Sequence, residues 1–273
     1  MALKTENTRK RNKAPSKGLE WLARHNGWLV FASIFLVVAL WQIVVSLTKA
    51  PAFLLPSPQG VWKKLLVVVA DGTLLSHSLV TLTEVLLGLL LGCSIAMFLG
   101  YLLAKSHLTE KILSPYLVAS QAIPVIAIAP LLIIWFGSGI FSKVLICALT
   151  VFFPVLVNTM IGFRGVPENL RDLMRSMRAS RWQKLRYLEI PAALPVLFGG
   201  LRIGATLSVI GAVVGEFVGS DMGLGFLVNV GRGQFDTALV FVAIFTLILM
   251  ALVLYGAAML AEKRSTRWKA ERK

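Results

Sequence analysis

The sequence predicts an all-α integral membrane protein with six transmembrane helices and a cytoplasmic helical hairpin between the fourth and the fifth. Its composition favours the membrane, because 57% of the 273 residues are hydrophobic and only 15% are charged. A soluble domain carries about 45–50% apolar and about 25% charged residues, so the apolar excess is too large for one buried core. The sequence also contains uncharged runs of about 20 residues, long enough to cross a hydrocarbon core roughly 30 Å thick.

The uncharged runs divide the chain into a basic arm, a membrane domain and a basic tail. The arm covers 1–27, the membrane domain 28–265, and the cytoplasmic tail 262–273, which overlaps the end of the last helix. The spans are predicted at about 28–48, 83–104, 113–136, 143–163, 192–218 and 238–261. The hairpin loop then falls at 164–191.

Two of the six spans are irregular. Pro115, Pro124 and Pro130 lie in the third span, and since proline removes a helix hydrogen bond we expect a kink there. Arg202 and Glu216 lie in the fifth span, where an ionisable group is costly unless it faces protein or water. The two charges are roughly 21 Å apart along a helix, too far to pair. Arg202 is expected either to anchor the helix near its cytoplasmic end or to contact substrate. Glu216 is expected either to line the pathway or to make a structural hydrogen bond.

The distribution of positive charge predicts the orientation. On the six-span topology, 22 of the 28 Lys and Arg residues lie in segments on one side and five on the other. Basic loops stay in the cytoplasm, so we expect both termini and the hairpin there, in a multi-pass protein of the cell or inner membrane. The net charge of +15 could suggest a nucleic-acid binder. The basic residues are separated by long apolar blocks, which argues against that class.

The sequence lacks the motifs of an enzyme or a metal site. It contains no GxxxxGK[ST], HExxH or GxSxG pattern. His25, His77 and His107 are scattered near predicted span ends and, like Glu84 at the start of the second span, are expected at the membrane interface. We therefore expect no catalytic residue, no metal ligand and no bound cofactor in this chain.

The 164–191 loop carries the most informative pattern. Pro167 followed by ENLRDLMRSM predicts a helix with an acidic first turn and arginines towards its end. One apolar stripe recurs at spacings of three, four and seven, namely Leu170, Leu173, Met174 and Met177. The ASRW turn predicts a second short helix that ends at Pro191. Such a hairpin offers a cytoplasmic partner an apolar ridge flanked by charge.

This loop resembles the EAA loop of the permease subunits of binding-protein-dependent ABC importers, roughly E-A-A-x3-G-x9-I-x-L-P. Asp172, Leu173 and Met174 take the EAA places, and Arg178 takes the glycine place. The following string, RASRWQKLRYLEIPAALPVLFGGLRIGATLSV, extends a resemblance that covers roughly 28–265. In that family the EAA helix seats in a cleft of a separate ATPase. The residues expected to couple to the ATPase are Asp172, Leu173, Met174, Met177, Arg178, Ala179, Leu188, Ile190 and Pro191.

The resemblance also implies a function and partners. The chain would be the translocation subunit of an importer that includes a second permease, expected to be identical, an extracytoplasmic binding protein, and cytoplasmic ABC ATPases that use ATP and Mg. FLLPSPQGVW and GEFVGSDMGLGFL are similar to the nitrate, sulfonate and taurine branch, whereas TLTEVLLG and GRGQFDTALVF look more like permeases for riboflavin or pyrimidine precursors. We expect riboflavin or a pyrimidine precursor as substrate, with aliphatic sulfonate, taurine or nitrate as the alternative. An ion-coupled carrier that uses Glu216 and Arg202, or a non-transporting membrane scaffold, is the alternative of another class.

Overall fold

The computed structural model describes residues 26–266, so most of the predicted basic arm, including His25, and residues 267–273 of the tail lie outside the described range. Within that range every regular element is helical, which confirms the all-α fold class. The helices are α1 Asn26–Thr48, α2 Pro58–Ala70, α3 Thr73–Lys105, α4 His107–Gln121, α5 Val125–Phe136, α6 Ile140–Arg164, α7 Glu168–Ser176, α8 Arg181–Lys184, α9 Ile190–Gly219, α10 Leu224–Gly233 and α11 Thr237–Ser265. A π-helical turn, Leu185–Glu189, joins α8 to α9.

Five helical segments in the described range are long and apolar enough to cross a membrane. They are α1, α3, α6, the continuous helix made of α8, the π turn and α9, and finally α11. The chain divides into two compact units, 1–59 and 60–273. The first unit contains α1, whose apolar side chains are largely exposed. The protein is therefore a multi-pass membrane protein.

The third predicted span, 113–136, is two helices rather than one kinked helix. The first, α4, ends at Gln121, and α5 begins after Pro124, whose backbone is extended. Proline lacks the backbone N–H and disfavours a helical conformation in the preceding residue, which explains why the helix breaks here. With 12 residues, α5 is about 18 Å long and is too short to cross the hydrocarbon core. The described chain thus has five full-length candidate spans and, at the position of the third predicted one, the shorter apolar α5.

Small residues bring three spans together at the centre of the second unit, where α6 packs against both α3 and α9. A Cβ atom at Gly92 of α3 would lie 2.7 Å from the backbone oxygen of Ala148 in α6. One at Gly211 of α9 would lie 2.8 Å from the Cα of Cys147, also in α6. The helix backbones therefore approach more closely than any larger residue would permit. Gly199, by contrast, faces open space.

Candidate functional site

The connection between α6 and α9 is a helical hairpin. Its first helix, α7, follows Pro167 and carries Glu168 in its first turn and Arg175 in its last, charges that complement the helix dipole. Residues 177–180 then turn the chain into α8. The Ser180 hydroxyl accepts a hydrogen bond from the backbone N–H of Gln183, whose side chain accepts one from the Ser180 N–H. This reciprocal capping box fixes where α8 begins.

The turn between α7 and α8 passes through Arg178 in the left-handed region, with φ of +53°. The Arg178 N–H donates to the Arg175 carbonyl and the Ala179 N–H to the Met174 carbonyl, the pattern of a Schellman C-cap. A residue with a Cβ pays about 1–2 kcal/mol for this conformation, whereas glycine adopts it freely. Arg178 occupies the glycine position of the EAA pattern, and its left-handed backbone is the conformation that glycine adopts most easily.

The second helix of the hairpin does not end at Pro191, contrary to the prediction. It runs without interruption from Arg181 to Gly219. In the π turn the Ile190 N–H bonds to the carbonyl of Leu185, five residues back. This wider turn lies just before the proline, where an ordinary α-helical turn would lose a hydrogen bond and crowd the ring. The hairpin is therefore continuous with a membrane-crossing helix.

The hairpin presents apolar side chains outward. No residue of α7 or α8 is buried, and Leu173 is 55% exposed and Met177 69%. Trp182 and Tyr187 are also largely exposed on the second helix. An apolar patch rimmed by charge typically marks a contact with another protein. This surface is thus free to receive a partner.

The nine residues predicted to couple to an ATPase fall on two segments of this hairpin. Those on α7 and the turn after it are Asp172, Leu173, Met174, Met177, Arg178 and Ala179, of which Met174 and Ala179 are half-buried and the rest exposed. Those on the second helix are Leu188, Ile190 and Pro191, of which Ile190 is exposed. The exposed members form the accessible part of the predicted coupling surface.

Ion pairs join the hairpin end of the bundle to α3 and α4. Lys105, the last residue of α3, bonds to the buried carboxylate of Glu189 in the π turn. Arg164 donates to both oxygens of Glu110 in α4, at 2.7 and 2.5 Å. These hydrogen bonds from Arg164 lower the pKa of Glu110 from an ordinary 4.5 to about 2. The partners are 84 and 54 residues apart in the chain, so no local pattern could have paired them.

A buried polar cluster surrounds Glu216 at the far end of α9. Glu216 is only 1% exposed, and its carboxylate accepts hydrogen bonds from the Thr81 hydroxyl at 2.6 Å and the Gly225 N–H at 2.5 Å. Thr81 lies on α3 and Gly225 on α10, so one carboxylate joins three helices. Gly223, just before α10, has φ of +109°, and a side chain there would collide with the Glu216 carboxylate. Only glycine fits this approach.

The same cluster contains residues that the sequence predicted at the membrane boundary. Glu84 is 1% exposed, Lys143 6% and His77 8%. The Lys143 ammonium lies 3.5 Å from the Glu84 carboxylate and donates to the Ser220 hydroxyl at 2.6 Å. The His77 Nδ1 accepts a hydrogen bond from the Gly223 N–H at 2.9 Å. Glu84 and His77 are therefore buried within the protein, and the Gly223 backbone contacts the His77 ring.

The remaining candidate, Arg202, forms an ion pair with a neighbouring helix. Its guanidinium lies 3.3 Å from the Glu262 carboxylate of α11 and over the ring of Tyr255, 5.9 Å from its centre. It is half-buried between two spans. Across residues 26–266 no three His, Cys, Asp or Glu side chains are grouped so that they could hold a metal ion.

Comparison with known proteins decides the family. Residues 88–267 match the family described as binding-protein-dependent transport system inner membrane component. The chain belongs to this family. The riboflavin transport system permease protein RibX of Chloroflexus aurantiacus is 49% identical over 87% of this chain and 89% of that protein. The formylaminopyrimidine transport permease protein ThiX of Halalkalibacterium halodurans is 35% identical over 86% of this chain and 93% of that protein.

The fold of the permease also matches a solved transporter. A crystal structure of an amino acid ABC transporter superposes with a TM-score of 0.56 at 17% identity, covering 72% of this chain and 96% of that one. The protein is thus a permease subunit of an ABC importer, and the family description makes it a membrane component of binding-protein-dependent transport.

Proposed function

We propose that this permease carries riboflavin or a pyrimidine precursor across the membrane. The main support for this substrate class is the 49% identity to a riboflavin permease over nearly the whole length of both chains. The second relative is named for a formylaminopyrimidine, another nitrogen heterocycle. A flat, polar but uncharged ring is the chemistry these two names share.

The charges inside the spans favour such a ring over a small anion. A sulfonate or nitrate pathway calls for fixed positive charge that is free to face the substrate. Lys143 and Arg202 are basic residues within spans, but each faces a carboxylate, Glu84 and Glu262 respectively. Their charge is compensated by the protein itself, which supports an uncharged heterocycle.

Separate ATPases drive the permease through the hairpin. The exposed side chains of Leu173 and Met177 suit a cleft on another protein. The helix that follows runs unbroken from Arg181 through the membrane to Gly219, so a displacement of the hairpin moves a spanning helix. ATP and Mg belong to the ATPases, and this chain contributes no catalytic group.

The complete importer places these partners on opposite sides of the membrane. The hairpin end faces the cytoplasm, as the excess of Lys and Arg in that loop and in both terminal segments indicates. A second copy of this chain completes the pathway, and a binding protein delivers substrate at the other end, where α9 meets α10.

An uptake assay in liposomes tests the proposal. The permease is reconstituted with its ATPase and binding protein, and labelled riboflavin, formylaminopyrimidine and taurine are compared with and without ATP. We expect ATP-dependent uptake of a heterocycle and none of taurine. Uptake of taurine alone would overturn the substrate class. Transport without the ATPase would identify an ion-coupled carrier instead, and a complex that binds the ATPase but moves none of the three would favour a scaffold.

A further inference from the structure

A cavity of about 530 Å³ opens at the hairpin end of the bundle, between the last turn of α3 and the two helices of the hairpin. Its wall is strongly basic. The charged residues that line it are Lys105, Arg171, Arg175, Arg181, Lys184 and Glu189. Five positive groups thus face one negative group around a single space.

Some of this positive charge is neutralised within the chain. Lys105 is bound to Glu189, the acidic residue of the cavity wall. Arg175 lies 2.8 Å from Asp172 and 3.3 Å from Glu168, both on its own helix α7. These contacts account for two of the five cations.

Two of the other three cations leave a surplus of positive charge. Arg171 is paired with Glu168 at 3.4 Å and donates to the Phe163 carbonyl at 2.7 Å, but its Nε is buried without a hydrogen-bond partner in the described part of the chain. Arg181 and Lys184, one turn apart on α8, form no ion pair with any residue from 26 to 266. The cavity therefore combines unpaired donors with uncompensated charge, which an anion would satisfy.

The position of the cavity indicates which anion. Tyr101 and Lys105 belong to the final turn of a helix long and apolar enough to cross a membrane, and lipid headgroups lie around the ends of such helices. Arginine and lysine together are the typical ligands of phosphate, and basic pockets between spans bind acidic lipid headgroups. The cavity volume of about 530 Å³ is many times the roughly 30 Å³ that one water molecule occupies. It is therefore large enough for a phosphate with its ester group.

We infer that this cavity binds a phosphoryl group, supplied by the headgroup of an anionic phospholipid or by a soluble phosphate. Arg181 and Lys184 provide the uncompensated charge, and Arg171 provides a buried donor. A phosphate bound there contacts α3 and both arms of the hairpin at once. It therefore steadies the hairpin against the bundle, whichever substrate the permease carries.

The test measures ligand-dependent thermal stability of the purified permease–ATPase complex. Short-chain phosphatidylglycerol, short-chain phosphatidylcholine and inorganic phosphate are titrated separately, with no transport substrate present. The variant R181Q/K184Q removes the two unpaired charges. K111Q/R186Q is the matched control, since both of its residues are exposed at the same end but do not line the cavity. R181K/K184R keeps the charge and checks that the helix tolerates substitution.

We expect phosphatidylglycerol to raise the unfolding temperature of the wild-type complex and phosphatidylcholine to leave it unchanged. With each basic residue contributing about fivefold, R181Q/K184Q should bind phosphatidylglycerol about 25-fold more weakly. The K111Q/R186Q and R181K/K184R variants should stay within about threefold of wild type. Stabilisation by millimolar inorganic phosphate that competes with the lipid supports the same site with a soluble source.

Three results overturn the inference. Equal stabilisation by both lipids would mean that no charge-selective site exists, and equal weakening in K111Q/R186Q would mean that only the general surface charge matters. Unchanged lipid affinity in R181Q/K184Q, together with loss of the bound ATPase, would assign these cations to the ATPase. Because no substrate is added, none of these results depends on whether riboflavin is carried.

Discussion

Replacing Thr81 by valine tests whether the buried cluster around Glu216 holds α3, α9 and α10 together. Thr81 is fully buried, and its hydroxyl donates to the Glu216 carboxylate at 2.6 Å while accepting from the Leu224 N–H at 2.8 Å. Valine keeps the shape but has no hydroxyl. T81V therefore removes one donor from a buried carboxylate and leaves a buried amide without its partner. Each such loss costs about 1–3 kcal/mol, so we expect a destabilisation of at least about 2 kcal/mol.

Thermal unfolding followed by tryptophan fluorescence measures this change. For a chain of this size each kcal/mol shifts the midpoint by about 2–4 °C, so T81V should unfold at least about 4 °C lower than wild type. T83V is the matched control, because Thr83 is exposed and its hydroxyl bonds only to the Leu79 carbonyl of its own helix. If T81V and T83V unfold within about 1 °C of each other, the Thr81 hydrogen bonds do not hold the cluster.

Three further predictions concern orientation, pH and packing. A cysteine at Ser180 should react only with reagents that reach the cytoplasm, since both native cysteines are buried; modification from outside would invert the topology. The ion pair of Glu110 with Arg164 stabilises the fold fully above the ordinary carboxylate pKa of 4.5, and this stabilisation is lost as the pH falls towards about 2. The variant E110Q should therefore show a flatter dependence of stability on pH in that window, and an unchanged curve would refute this. G92A should lower stability by about 1–3 kcal/mol, because the added Cβ would meet the backbone of α6. G199A adds a Cβ that faces open space and should change stability by less than about 0.5 kcal/mol. Equal effects of the two variants would contradict the close packing of α3 against α6.

Local patterns in the sequence predicted the features that depend on neighbouring residues. Hydropathy marked the long spans, and Pro167 with the apolar spacing of Leu170, Leu173 and Met177 marked the first helix of the hairpin. The glycine place of the EAA pattern identified Arg178 as the turn position, where the structure has a left-handed backbone. Each of these features depends on residues that are close together in the sequence, which is the range over which a sequence pattern is informative.

The features that were missed depend on contacts between distant segments. Glu216 meets Thr81 across 135 residues, and Lys143 meets Ser220 across 77, so no local pattern could identify these partners. The break before Pro124 and the continuous helix through Pro191 are opposite outcomes for the same residue type. A π turn accommodates the second proline, and nothing in the local sequence distinguishes the two cases.

We propose that the hairpin surface around Met177 docks the ATPase, and co-purification measures this contact directly. Met177 is 69% exposed on the hairpin, and M177D would place a charge in a contact that excludes water. M222D makes the same substitution in the connection between α9 and α10, where Met222 is 41% exposed. A tagged permease should recover at least about tenfold less ATPase with M177D than wild type, and an unchanged amount with M222D. Equal recovery of the ATPase by the two variants would show that Met177 lies outside the contact.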